Sequence, residues 1–323
     1  MSLFDGARGG LRPRGCFGPK LEAAIAALTV RNRLSRRQLV ELLEELFGCP
    51  IAVGTVDAIL SCTGETLAPV YDELVEQTRA ASALNVDETG WYLSGEPRTL
   101  SGAFSKQTAV LRIAPDRGKK HLLGLIGEGF AGVVGSDRFS AYNSLEPERR
   151  QVCWSHLRRD FTFHADLGLG SQETFGLDGL EVTWNVFHAW EQFQQDGDRA
   201  ALEQRVEAIK GQMRPLLEWG STGKRQRHVH ALAKNLLKLW PALWTFATVA
   251  DVEPTNNAAE RGLRAAVIYR KLSLGSQSQG GERTIERLLS VDQTCRLQRR
   301  SLYAYLGAAL SAKARGDPIP ALA

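Results

Sequence analysis

Two aspartates stand at positions where apolar strands are expected. Asp87 lies in the segment NVDETG of residues 85–90, and Asp137 lies in the segment VVGSDR of residues 133–138, right after a predicted buried strand. A carboxylate in a buried strand costs free energy unless it is paired or holds a cation, and its hard oxygens favour Mg²⁺ or Mn²⁺. Neighbouring strand residues point to opposite faces, so Asp87 and Glu88 cannot serve one site. The alternative for each aspartate alone is a strand-end cap or a salt-bridged turn.

A third acid, Glu260, lies in the segment EPTNNAAERGLR of residues 253–264. Pro254 and the two asparagines that follow it predict the start of a helix. Glu260 and Arg264 are four residues apart and therefore share one face of that helix. This spacing places a carboxylate beside a guanidinium that can hold a phosphate. A simple surface ion pair is the alternative.

The segment CWSH contains Cys153 and His156 at a spacing that also occurs in zinc sites. A structural zinc site needs about four ligands, and no second pair with suitable spacing is evident. Cys153 is therefore interpreted as buried packing. His156 is interpreted as lying near the active site, in contact with the scissile phosphate, with a structural role as the alternative. Four tryptophans are interpreted as core of a helical segment rather than as base-stacking residues: Trp184, Trp190, Trp240 and Trp244.

Several short helices precede the first aspartate. Ser35 is a good N-cap for a helix, and Gly48 with Pro50 ends it. Three short helices with a tight turn suggest a helix-turn-helix, whose third helix would enter a DNA major groove. A plain helical subdomain is the alternative. The predicted helices are 19–30, 36–47, about 54–61 and a longer linking helix at 64–82.

The region around the aspartates predicts an α/β core with a mixed sheet, because strands alternate there with a helix. Residues 176–248 read as almost wholly helical, which is too long for a loop and predicts a helical insertion. The predicted strands are 84–86, 99–104, 108–113, 131–135 and 151–154, with helices at 119–127, from 256 and over 283–310. The predicted domains are a flexible arm (1–17), a helix-turn-helix-like domain with its linking helix (18–82), the first part of the core (83–165), the insertion (166–250) and the C-terminal helices of the core (251–323).

Composition excludes several classes of protein. Hydrophobic residues make up 43% and charged residues 24% of the chain, as in ordinary globular proteins. The five scattered cysteines indicate reduced thiols. No apolar run is long enough for a membrane span or a secretory signal, so a cytoplasmic protein is expected. The net charge of +4 is mild, but the segment 219–250 carries basic residues and no acid, which favours phosphate contacts or a solvated basic surface.

Five motifs in order resemble the transposases of the insertion-sequence-66 family. They are NVDETGW, GSDRFSAY, VCWSHLRRDF, PTNNAAERGLR and RKLSLGS…GGER, and the resemblance runs from about Arg33 to Leu306. It implies an RNase H-like mixed-sheet core with a helical insertion, behind an all-α helix-turn-helix-like domain. It also implies an Asp-Asp-Glu triad, which by motif position is Asp87, Asp137 and Glu260.

The resemblance further implies a chemistry and a set of partners. The triad would hold two Mg²⁺ ions, for which Mn²⁺ would substitute, and would cut and join DNA strands by in-line transesterification. Implied partners are transposon-end and target DNA, further copies of the chain on paired ends and accessory proteins of the same element. The protein would associate with the nucleoid when bound to DNA. The DNA-contact candidates are His156, Arg158, Arg159, Arg261, Arg264, Arg270 and Lys271.

Two other functions are compatible with the same residues. One is a DNA-binding protein derived from a transposase that no longer catalyses, although the complete triad argues against it. The other is a structure-selective nuclease on the same core. Many family members carry leucine-rich and Cys-rich zinc-binding segments before the helix-turn-helix. Only a short Gly/Arg arm precedes Pro19 here, which implies a compact variant or a truncated copy.

Overall fold

A computed structural model describes residues 17–167, 170–222 and 227–322. The predicted flexible arm, 1–17, lies outside these residues except for its last position. The chain divides into two compact units, each with its own contacts. The first unit comprises Met1–Ala81, Glu88–Phe130 and Ala259–Ala323, and the second comprises Ser82–Asp87 and Ala131–Ala258.

The first unit begins with four helices: α1 (Pro19–Val30), α2 (Arg36–Phe47), α3 (Val53–Thr66) and α4 (Ala68–Arg79). The Ser35 side chain caps α2 in a reciprocal pair with Gln38, and Gly48 ends the helix in the left-handed conformation, as its sequence predicts. The predicted helix at 64–82 is wrong in its extent. The chain breaks at Leu67, because Pro69 has no backbone N–H to donate to a preceding turn.

A β-hairpin follows in the first unit. Strand β1 (Ala83–Leu93) enters this unit at Glu88, and β2 (Glu96–Phe104) pairs antiparallel with β3 (Ala109–Ala114). Ser94 and Gly95 both have positive φ, which is the geometry of a tight hairpin turn. Helix α5 (Lys119–Ile126) and the helices α11 (Asn257–Ser273), α12 (Gln279–Leu297) and α13 (Leu302–Arg315) complete the unit; all but the first two residues of α11 belong to it.

Helix α12 covers the edge strand β3 through side-chain acceptors. The backbone N–H groups of Ala109, Leu111 and Ile113 donate to Thr294 Oγ1 (3.0 Å), Ser290 Oγ (2.8 Å) and Glu286 Oε1 (2.6 Å), respectively. Four residues of helix rise about 6 Å and two residues of strand span about 6.6 Å. Every fourth residue of α12 therefore lies opposite every second residue of β3. The side chains of α12 accept from backbone N–H groups of β3 that could otherwise pair with another strand.

The second unit contains the start of β1, then β4 (Val133–Ser136) and β5 (Arg150–Val152), followed by helices. These are α6 (Trp154–Asp166), α7 (Ser171–Asp196), α8 (Arg199–Thr222), α9 (Arg227–Lys238) and the short α10 (Thr245–Thr248). The predicted helical segment of 176–248 is confirmed. Its core joins the helices to the sheet through Val152, Trp154, Phe161, Phe175, Met213, Leu217 and Trp244.

One tryptophan of this segment was predicted incorrectly. Trp184 is 64% exposed and stacks on His188, with ring centroids 5.1 Å apart. Trp184 is two positions from the buried Val182 and Val186, which places it on the opposite face of α7 from them. Trp244 is buried as predicted, and Trp190 and Trp240 pack against the same core.

The strands form one mixed sheet in the order β3-β2-β1-β4-β5. The β1–β4 and β4–β5 pairs are parallel, whereas β2 and β3 are antiparallel. The predicted α/β class with a mixed sheet is confirmed. An RNase H-like core and a helix-turn-helix remain predictions. None of the helices in the described part of the chain is both long and apolar enough to cross a bilayer.

Candidate active site

Asp87 and Asp137 occupy equivalent positions beside two neighbouring parallel strands. The last registered pair of β1 and β4 is Asn85 with Gly135, and each aspartate lies two residues beyond its member of that pair. Parallel strands lie about 4.8 Å apart, and residues at the same register point to the same face. Both carboxylates are half-buried. The register therefore brings two acids, predicted separately, to one edge of the sheet in the second unit.

A chain of hydrogen bonds joins the backbones that precede these two aspartates. The Cys153 N–H donates to Ser136 O (2.9 Å), and the Asn256 N–H donates to Cys153 Sγ (3.1 Å). The Asn256 Nδ2 amide then donates to Val86 O (3.0 Å). We call these four residues the strand-end bridge. Val86 and Ser136 each immediately precede an aspartate, so the bridge fixes the spacing of both from one side.

Asn256 has one polar atom to spare at this position. The residue is fully buried, and its Oδ1 oxygen accepts no hydrogen bond from the described residues. Because the carbonyl of Val86 can only accept, the amide orientation is fixed and Oδ1 is the free atom. The Asn256 side chain therefore does not cap α11. The amide serves β1 instead.

The turn that carries Asp137 is held by a buried arginine. Asp137 Oδ1 accepts from the Phe139 N–H (2.8 Å), while the Arg150 guanidinium donates to Asp137 O (3.4 Å) and to Asn143 Oδ1 (3.2 Å). Burial lowers the pKa of Arg150 to about 10, although Tyr142 and Asp137 oppose this shift. The guanidinium therefore stays charged at neutral pH beside the Asp137 turn. Sequence analysis missed Arg150, because an arginine in a short strand carries no motif.

A second arginine next to the aspartate was also missed. Arg138 donates to Asp160 Oδ2 (2.5 Å) on α6 and to Asn235 Oδ1 (2.9 Å) on α9. The contacts tie the residue after Asp137 to two helices of the same unit. The motif GSDRF could have indicated Arg138 as a site residue, because this arginine directly follows Asp137.

The three DNA-contact candidates of α6 lie at its start. His156 Nε2 and the Arg159 guanidinium are 2.9 Å apart, and both Arg158 and Arg159 are exposed. The Arg158 guanidinium also lies over the ring of Phe187 on α7, at 5.7 Å from its centroid. The first turn of α6 follows Cys153 of the strand-end bridge, so the structure places these cations on the helix that the bridge anchors.

The remaining candidates lie on α11, in the first unit. Glu260 is half-buried in the first turn of the helix. Arg261, Arg264 and Lys271 are exposed, as a phosphate contact requires. Arg270 instead donates to the Gly90 carbonyl and weakly to Thr89 Oγ1 (3.4 Å), so its guanidinium is engaged with β1. The convergence of Glu260 on the two aspartates stays a prediction.

No cluster of three or more His, Cys, Asp or Glu side chains arranged as a metal site occurs in residues 17–167, 170–222 and 227–322. The four cysteines within these ranges are free thiols. Cys153 is fully buried, as its interpretation as buried packing predicts. Asp87 and Asp137 each lie two residues beyond the last registered pair of β1 and β4.

Comparison with known proteins identifies the family. The chain is similar to two uncharacterized proteins of Sinorhizobium fredii (strain NBRC 101917 / NGR234). One, y4qI, is 27% identical over 59% of this chain and 37% of its own length. The other, y4hP, is 24% identical over 88% of this chain and 57% of its own length.

The chain thus spans well under two thirds of either relative. The family model described as "Transposase IS66 family" matches residues 14–284, which include both aspartates, the strand-end bridge and α11. The chain therefore belongs to the IS66 family of transposases.

Proposed function

We propose that this chain is a DNA transposase that cuts and joins DNA strands through the carboxylates of Asp87, Asp137 and Glu260. One observation carries the proposal: Asp87 and Asp137 each lie two residues beyond the last registered pair of the parallel strands β1 and β4, within the segment that matches the family. Two acids so placed repel each other unless a cation lies between them. Glu260 joins them in the proposal through its place in the family motif.

The residues fit a divalent cation of the Mg²⁺ class. Carboxylate oxygens are the ligands that Mg²⁺ prefers, and Mn²⁺ accepts the same set. The buried Oδ1 of Asn256 adds a further oxygen without a donor, beside the backbone that leads into Asp87. Asp87, Asp137 and Glu260 would hold the ions, and Asn256 would accept from a water in the same site. When bound, Mg²⁺ supplies electrostatic stabilisation of the attacking and leaving oxygens.

The proposed reaction has two balanced steps. In the first, a water oxygen forms a bond to a backbone phosphorus while the bond from that phosphorus to the 3′ oxygen breaks. In the second, the freed 3′-hydroxyl forms a bond to a phosphorus of the target strand, whose own 3′ oxygen leaves. Each attacking hydroxyl loses a proton and each leaving oxygen gains one. No covalent enzyme intermediate is needed, so no Ser or Tyr nucleophile is required.

The protein's part is to position the DNA and neutralise its charge. Arg261 and Arg264 are exposed and three residues apart on α11, so they would contact phosphates on the helix that carries Glu260. Arg158 and Arg159 would do so from α6. The proposed partners are transposon-end and target DNA, other copies of the chain on paired ends, and accessory proteins of the same element.

The test compares conservative carboxylate variants with matched controls. Asp87→Asn, Asp137→Asn and Glu260→Gln should each lower cleavage of labelled transposon-end DNA in Mg²⁺ by at least about 100-fold, since each removes a charged metal ligand. DNA binding, measured by fluorescence anisotropy, should be unchanged. Glu88→Gln next to Asp87 and Glu253→Gln before Glu260 should cleave as the unaltered protein does.

Wild-type cleavage by any one of the three variants would remove that residue from the triad. A wild-type chain that binds the DNA and never cuts it, in Mg²⁺ or Mn²⁺, would favour the DNA-binding alternative. Cleavage of branched DNA without regard to transposon ends would favour the structure-selective nuclease.

A further inference from the structure

A cavity of about 470 Å³ lies within the first unit, and its lining includes neither aspartate nor Glu260. Its walls come from the α1–α2 connection, the starts of α2 and α3, the end of α11 and the start of α12. We call it the arginine pocket, after Arg33, Arg36 and Arg37. Its volume is in the range of sites that hold small organic ligands or one unit of a larger chain.

The charge of the arginine pocket is positive. Asp57 is its only acid among the described lining residues, against three arginines. Arg36 is paired with Asp57, at 2.7 Å between Nη2 and Oδ1. Arg37 is exposed and makes no ion pair with the described residues, and the buried Nε of Arg33 has no hydrogen-bond partner there. Two guanidinium groups therefore remain available to an anion.

Arg33 is held in an unusual backbone conformation. Its φ is 63°, in the left-handed region that favours glycine. A non-glycine residue in this region is uncommon, and such residues concentrate at binding sites. At Arg33 the left-handed bend ends the turn after α1 and keeps an arginine on the wall of the pocket.

The opposite wall adds donors of the kind that bind phosphate. Ser278 caps α12, its Oγ accepting from the Gly281 N–H (3.0 Å), and Gly280 precedes Gly281 in the first turn. The start of a 19-residue helix carries partial positive charge, which favours an anion. Arginine side chains beside the start of a helix favour phosphate as a ligand. One planar guanidinium group can donate two parallel hydrogen bonds to two oxygens of the same phosphate.

The predicted recognition helix has the opposite charge. The segment Val53–Thr66 of α3 contains no lysine or arginine, and its exposed positions include Asp57 and Glu65. Contact of this face with a phosphate backbone is unfavourable. Arg36 and Arg37 at the start of α2 instead line the pocket.

We infer that the arginine pocket binds a phosphate of the DNA backbone through Arg33 and Arg37, as a sequence-independent contact outside the cutting site. The inference rests on the proposed function only in taking DNA as the source of the phosphate. A backbone contact fixes the position of the duplex without reading its sequence.

The test uses the full chain and a random 20-base-pair duplex. Arg33→Gln and Arg37→Gln should each weaken binding by about 3- to 10-fold in fluorescence anisotropy, and the slope of log affinity against log salt should fall by about one. Arg299→Gln is the matched control, because Arg299 is also exposed and left-handed, with φ 56°. It should bind as the unaltered chain does. Circular dichroism confirms that all three variants fold.

A second measurement separates DNA from a small phosphate ligand. Inorganic phosphate should compete with the duplex more strongly than chloride at equal ionic strength, and Arg33→Gln should abolish that difference. Wild-type DNA affinity and salt slope in both pocket variants would overturn the inference, even if phosphate itself still bound. Asp87→Asn should bind the duplex as the unaltered chain does. An error in the proposed triad would therefore appear in the cleavage assay, and an error in the proposed pocket would appear in the DNA affinity.

Discussion

The Asn256 side chain donates from Nδ2 to the backbone carbonyl of Val86, at 3.0 Å. The two residues are 170 positions apart. Through this bond the residue just before α11 is tied to the residue just before Asp87. Through its backbone N–H it is tied to Cys153, and Cys153 to Ser136. Mutation of the strand-end bridge should therefore change the aspartate site without removing a carboxylate.

Asn256→Ala should weaken metal binding. The change removes the donor to Val86 and the spare Oδ1 acceptor, and loss of such supporting contacts costs about 10- to 100-fold in metal affinity or activity. Mn²⁺ affinity measured by electron paramagnetic resonance and cleavage rate should fall together, while DNA affinity holds. Asn257→Ala, on the neighbouring half-buried residue, is the control and should stay within about 3-fold. Equal Mn²⁺ affinity in the two variants would contradict a positioning role for Asn256.

Cys153 should tolerate serine better than alanine. Its sulfur accepts from the buried Asn256 N–H, and alanine would leave that donor unsatisfied at a cost of about 1–3 kcal/mol. Serine retains an acceptor, so Cys153→Ser should lose less of the free energy of unfolding in urea than Cys153→Ala. Cys295, which is also fully buried, gives the control pair. If alanine and serine differ equally at both positions, the bond to Asn256 contributes nothing specific.

The secondary structure could largely be predicted, because its signals are local. The Ser35 cap, the left-handed Gly48 and the Ser94–Gly95 turn follow from residue type alone. The extent of β1 did not follow. Only 84–86 was predicted, because polar residues interrupt the apolar pattern from Asp87 onward, yet the strand continues to Leu93 as one arm of a hairpin.

In the candidate site too, the features set by local sequence could be predicted and those set by tertiary structure could not. Asp87 and Asp137 could be predicted because each follows an apolar run. The strand-end bridge could not be predicted, since its bonds depend on the register of β1 with β4 and on where α6 and α11 begin. Arg270 shows the same limit. The phosphate contact suggested by its motif stays a prediction, and its guanidinium donates to the Gly90 carbonyl, a partner that no sequence pattern reveals.

Gly262→Ala should destabilise the packing of α11 on β2. A Cβ at Gly262 would lie closer than 3.0 Å to three ring atoms of Phe104, and one at Gly102 would meet the same ring from its own side. Overpacking of this kind costs about 1–3 kcal/mol, which should appear as a lower urea midpoint. Phe104→Leu in the Gly262→Ala background should recover part of the loss.

Gly211 supplies the control for helix propensity. It lies within α8, and a Cβ there would meet nothing within 4 Å. Gly211→Ala should therefore raise stability by up to about 1 kcal/mol, because alanine loses less conformational entropy than glycine in a helix. If Gly262→Ala raised stability as much as Gly211→Ala does, the Phe104 ring would be able to move aside without loss of packing energy.

Glu286 should make stability depend on pH. Burial raises its pKa to about 7, although the Ile113 N–H and Arg112 oppose the shift. The folded state then holds the proton more tightly than the unfolded state, whose value is 4.5. Stability from this group is therefore fully present below pH 4.5 and is lost as the pH rises through 7. The loss is on the order of 3 kcal/mol.

Glu286→Gln tests this sign directly. Glutamine keeps an oxygen for the Ile113 N–H, so the cover of β3 by α12 should survive while the titration disappears. Thermal unfolding at pH 5 and pH 8 should show a smaller pH difference in Glu286→Gln than in the unaltered chain, with the variant the more stable of the two at pH 8. The exposed Glu65→Gln should leave the pH difference unchanged. An equal pH difference in Glu286→Gln and the unaltered chain would mean that Glu286 is already ionised in the folded state at pH 5, and that its contact with β3 is made by a charged carboxylate.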